Sequence, residues 1–85
     1  MRAQDLLPDQ LDSREFNGAV VRKGTVGAFL ANARMFLDPA ASAADRQEAE
    51  VHMVEAIAAL DALGVFTVLE IRDPALRAFV ARHRR

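Results

Sequence analysis

Two clusters in this 85-residue chain combine residue type and spacing in a way that could do chemistry. Glu48, His52 and Glu55 recur at i, i+4 and i+7. On a helix that spacing puts one imidazole and two carboxylates on the same side, a donor set that divalent cations accept. Arg22, Lys23, Gly24 and Thr25 stand where a strand pattern gives way to a helix pattern. There the open backbone N–H groups and the helix dipole favour an anion, two cations reinforce it, and Gly24 lets a phosphate come close. Neither signal is specific. A Glu–His pair four residues apart is the ordinary make-up of a solvated helix face, so no metal site and no cofactor are expected. The Arg22–Thr25 stretch lacks the glycine pattern of a P-loop or a dinucleotide fingerprint. Its plain reading is a capped helix start with two exposed cations; its functional reading is an anion- or nucleic-acid-binding site.

Catalysis has less behind it. The chain has two histidines, two serines, two threonines, and no cysteine or tyrosine. Ser42 is used as a helix cap and Ser13 lies in the N-terminal arm. No nucleophile has a base and an orienting group in evident reach, as covalent catalysis needs. No enzyme is expected. Nucleic-acid binding would call for a basic domain with exposed aromatics. The net charge here is −1, and periodicity sends Phe29, Phe36, Phe66 and Phe79 to the core, leaving only Phe16 beside a turn. The basic stretch Arg77–Arg85 could touch phosphates. The acidic second helix argues against a helix-turn-helix.

Charge is unevenly spread. Residues 1–37 carry five basic and four acidic side chains, residues 38–73 two and eight, and residues 74–85 four and none. An acidic middle and a basic tail can fold back on each other or pair between copies. Without cysteine there is no disulfide framework and no thiolate metal site, and the reducing cytoplasm is the expected location. No apolar run approaches the ~20 residues of a membrane span, and the first ten residues are not a signal peptide. Arginine outnumbers lysine ten to one, a composition that points to a high-GC bacterial genome rather than to a function.

The element that must position most of these groups runs from Ser42 to Gly64. Ser42 is an N-cap with Asp45 three residues on, and Gly64 supplies the left-handed residue that stops a helix. At ~100° per residue, Ala49, Met53, Ala56, Ile57, Leu60 and Leu63 form a broad apolar stripe. Val51, Val54, Ala58 and Ala62 form a second, narrower one. A helix apolar on two sides needs cover on two sides. The second stripe is either left exposed because its residues are small, or meets another subunit.

The other elements fall around this helix. Asn17-Gly18 is the favoured pair for a tight hairpin turn, which predicts a β-hairpin over about residues 14–23. Thr25 is the expected N-cap of a helix over 25–37, whose Val26, Phe29, Leu30, Ala33, Phe36 and Leu37 share one face. Asp38-Pro39 ends it. The short connection makes 25–37 and 43–63 an αα-hairpin. Alternation over residues 65–71 predicts a third strand. Asp73-Pro74 caps a last helix over 74–83, with Leu76, Phe79 and Val80 turned inward.

The expected fold is therefore α+β: a small antiparallel sheet, made by the hairpin and residues 65–71, packed against the αα-hairpin and the C-terminal helix. Residues 1–13 form a loosely held arm and 14–85 one domain. The expected function is a small non-enzymatic protein-interaction or homodimerisation domain. Its contact residues would be Val51, Val54, Ala58 and Ala62, with Leu6 and Leu7 of the arm as accessories. The alternative is an anion or nucleic-acid binder using Arg22, Lys23, Gly24 and Thr25.

Overall fold

The computed structural model describes residues 13–16 and 18–84. Two short strands, β1 (Ser13–Phe16) and β2 (Ala19–Arg22), pair antiparallel with Ser13 opposite Arg22 and Phe16 opposite Ala19. Gly18 takes a φ of 86° in the turn, a conformation that costs glycine nothing. In β2, Val21 is buried and its neighbours Val20 and Arg22 point outward, the period of a ribbon covered on one side. The ribbon lies against the second long helix.

The rest of the chain is helical: α1 (Thr25–Leu37), α2 (Ala43–Leu63), α3 (Val65–Val68) and α4 (Pro74–His83). The long helices end where local chemistry ends them. The Ser42 hydroxyl accepts from the Asp45 N–H at 3.1 Å, and Gly64 closes α2 with a φ of 90°. The Asp73 carboxylate accepts from the Leu76 N–H at 2.9 Å at the start of α4. Between α1 and α2, Asp38 Oδ1 accepts from the Ala40 N–H at 2.9 Å. Arg46 reaches back to donate to the carbonyls of Pro39 and Ala41 at 3.1 and 3.0 Å. This short, tied connection lays α1 and α2 side by side.

The core forms where three helices meet. Phe29 and Ala33 of α1, Met53, Ile57 and Leu60 of α2, and Leu76, Phe79 and Val80 of α4 make one buried cluster. Met53 and Leu60 are its most completely enclosed large side chains, each worth about 1.5–3 kcal/mol of burial. The rings of Phe36 and Phe79 approach to 5.1 Å between centroids and join α1 to α4.

The α+β expectation is overturned, because the chain is predominantly helical. No third strand forms over 65–71. Residues 65–68 make one helical turn, and the chain then runs extended to Asp73. The reason is where the backbone hydrogen bonds go. After Gly64 ends α2, its carbonyl accepts from the N–H groups of Thr67 and Val68 at 3.2 and 3.1 Å, and the Val65 carbonyl accepts from Leu69 at 2.8 Å. A strand would have needed a neighbour to satisfy those groups, and the β1–β2 ribbon is engaged with α2 instead. The turn still meets the apolar demand: Val65, Phe66 and Ile71 pack on the core, with Phe66 edge-on to Phe29 at 6.3 Å. Val68 is left 81% exposed.

Two smaller expectations also change. Thr25 does not cap α1. Gly24 occupies the cap position with a φ of 81°, and the Thr25 hydroxyl donates back to the Arg22 carbonyl at 2.7 Å. The apolar face of α1 is only half buried: Phe29, Ala33 and Phe36 are covered, whereas Val26, Leu30 and Leu37 are exposed. The arm expected at 1–13, with Leu6 and Leu7, lies outside the described residues but for Ser13, which begins β1.

Candidate functional site

The outer face of α2 is the surface the sequence singled out, and the structure leaves most of it uncovered. Val51 is 52% exposed, and Val54 and Ala58 are exposed beside it. Ala62, the fourth residue of the stripe, is half-buried. The stripe faces outward because the opposite arc of α2, through Ala49, Met53, Ile57 and Leu60, carries the core. At its C-terminal end it opens into a groove of about 680 Å³ between the ribbon turn, α2 and α4, lined by Gly18, Ala19, Val54, Ala58, Ala62 and His83. By helical period, Glu50 and Asp61 border the stripe on one side, and Glu48 and Glu55 on the other. Asp61 accepts an ion pair from Arg84 at 2.7 Å. With Arg77 and Glu70 at 3.1 Å, this turns part of the basic tail back onto the acidic middle within one chain.

The two clusters with chemistry in them come together. Arg22, Thr25, Asn32, His52 and Glu55 line one cleft of about 530 Å³ between β2, α1 and α2, floored by Phe29 and Ala59 among others. No spacing in the sequence relates Arg22 to His52; only the seating of the ribbon on α2 does. The cleft is mixed in charge. Asn32 donates its amide to the Ala28 carbonyl at 3.0 Å, and Thr25 is turned to Arg22. Lys23 is exposed and does not line the cleft. The α1 start has no side-chain cap. Glu48 does not join His52 and Glu55 as a ligand set: among the described residues no three His, Asp or Glu side chains converge as a metal would require. Among the same residues no polar or charged side chain is buried.

One surface was missed by reading the sequence. Val26, Leu30 and Leu37 share the outer edge of α1, and Leu30 is 49% exposed. The signal was present as width. The six apolar residues of that face span an arc of about 120°, more than one neighbouring helix covers. Val20, Val68 and Leu69 are also exposed, but singly exposed apolar side chains are normal on a protein surface.

Among the described residues no helix is long and apolar enough to cross a membrane. No protein-family model, no curated protein and no solved structure matches the chain.

Proposed function

We propose that the chain is a small non-enzymatic protein-association domain that meets another polypeptide through the outer face of α2. Val51, Val54 and Ala58 are the central contacts and Ala62 lies at the edge. One observation carries this reading: a helix whose far side holds the core also presents valines to solvent along a continuous stripe. Association covers such a face and supplements the limited core of a short chain. A cytoplasmic location belongs to the same proposal, in keeping with a sequence that has no cysteine to oxidise.

The test is molar mass in solution, by size exclusion with light scattering across concentration. The expected result is a mass above one chain that falls to one chain in the Val51→Glu, Ala58→Glu double variant. The double variant should remain folded, because both positions are exposed in the single chain, and should melt below the parent by what association contributes. An unchanged mass in the double variant would remove α2 as the contact surface.

The second reading is an anion or nucleic-acid binder at Arg22, Lys23, Gly24 and Thr25. It is favoured by the uncapped start of α1 and opposed by Glu55 in the cleft that Arg22 lines. Its signature is polyanion binding that weakens steeply with added salt. Fluorescence anisotropy with a labelled oligonucleotide should then lose its signal in an Arg22→Ala, Lys23→Ala variant, and equal affinity in parent and variant would reject the site.

A further inference from the structure

We infer that the partner for the α2 face is the α1 face of a second copy, so that the chain associates head to tail. This rests on the protein-association reading above and names its partner.

The placement of the two faces supports this. Ala28 and Asn32 of α1 look across a shared cleft at His52, Glu55 and Ala56 of α2. Around α1, Leu30 lies about 160° from both Ala28 and Asn32; around α2, Val51 and Ala58 lie about 100–180° from the core residues Met53, Ile57 and Leu60, with Glu55 at the border between stripe and cleft. The two exposed stripes therefore both face away from the packed interior of the helix pair. Neither can cover the other within a chain. An α1 of one copy laid on the α2 of the next covers both, and repeats between chains the side-by-side packing already present within each. The stripes are commensurate: Val26 to Leu37 along α1 and Val51 to Ala62 along α2 each run roughly 16 Å. The groove at the C-terminal end of the α2 stripe has room for a leucine side chain.

The charges around the two faces are complementary. From Gly18 to Leu37 the chain carries Arg22, Lys23 and Arg34 and no acidic residue. Arg34 sits one turn from both Leu30 and Leu37, and Lys23 precedes Val26 by three residues. The α2 stripe is bordered by Glu48, Glu50 and Glu55, beyond the already paired Asp61. The one basic residue of α2, Arg46, is turned to the Pro39 and Ala41 carbonyls. Asp38 alone opposes the pattern at the far end of α1, and its carboxylate accepts from Ala40. A symmetric α2–α2 contact would set three carboxylates against three, and a symmetric α1–α1 contact would set cations against cations. Only the mixed contact matches apolar with apolar and opposite charge with opposite charge. Such a heterologous interface closes into a ring or continues as an open chain.

Complementation of two single-face variants tests this. Leu30→Glu disables the α1 face and Val51→Lys the α2 face; both positions are exposed, and circular dichroism with a thermal melt confirms that each variant is folded. The parent should show a mass that rises with concentration beyond two chains and falls with added salt. Each variant alone should run as one chain. An equimolar mixture should form a species of two chains and nothing larger, because each variant keeps one working face. The inference is overturned if Leu30→Glu assembles like the parent, or if the mixture stays at one-chain mass while the parent assembles; the α2 association reading survives both results. A parent that remains one chain up to millimolar concentration removes the second copy as partner and leaves only a foreign partner for α2.

Discussion

Phe79→Ala is expected to remove a large part of this domain's stability. Phe79 is buried at the point where α4 meets α1. Its ring lies 5.1 Å from that of Phe36 and 4.6 Å from the His83 imidazole, and the Arg82 guanidinium sits 5.7 Å from its centroid. Truncating a buried phenylalanine costs about 3–5 kcal/mol, against a total stability of about 5–15 kcal/mol for a domain. For a chain of this length that is a fall in melting temperature of more than about 12 °C. The contacts of α4 with the other helices run through Leu76, Phe79 and Val80, so no other ring takes over the role of Phe79. Phe79→Leu keeps most of the volume and should lose clearly less. Thermal unfolding followed by circular dichroism makes the comparison, and a Phe79→Ala protein that melts with the parent would mean that α4 does not anchor the fold.

Leu60→Ala and Leu30→Ala should differ sharply, although both leucines sit on apolar helix faces. Leu60 is almost wholly enclosed in the three-helix core. Its truncation leaves a cavity and costs about 2–5 kcal/mol. Leu30, on the outer edge of α1, leaves no cavity when shortened, and in dilute protein the change should stay within about 0.5 kcal/mol. Urea denaturation of both variants reads the difference as a shift in midpoint at constant slope. Similar losses at the two positions would mean that the edge of α1 is covered in the single chain, and would take away the surface on which head-to-tail association rests.

These predictions separate what short-range pattern specifies from what packing specifies. The extents of the three long helices were legible, and so were their caps except at the start of α1, where Gly24 and not Thr25 takes the cap position. Ser42, Gly64 and the Asp73-Pro74 pair act through hydrogen bonds and backbone angles that involve residues within a turn of one another, so the sequence carries their whole cause. The exposed half of the α2 face was legible too, because Val51, Val54 and Ala58 repeat on a period that the core stripe does not use. The Val65–Ile71 segment was not. Its alternation suits a strand, but a strand exists only if another strand is free to pair with it, and that is settled by where the ribbon docks. With the ribbon on α2, the backbone after Gly64 closes its hydrogen bonds locally and makes a helical turn.

Burial on α1 follows the same division. Periodicity placed six apolar residues on one face, but α2 and α4 cover only Phe29, Ala33 and Phe36. How much of a face is buried depends on how many neighbours reach it, which no single helix encodes. The sequence by itself determined the three long helices, the caps at Ser42, Gly64 and Asp73, and the second apolar stripe of α2, all set by interactions within a few residues. The tertiary structure alone decided the fate of 65–71, the exposed edge of α1, the Arg84–Asp61 pairing and the meeting of Arg22 with His52. Each of those joins groups far apart in the chain, and their proximity is a product of packing.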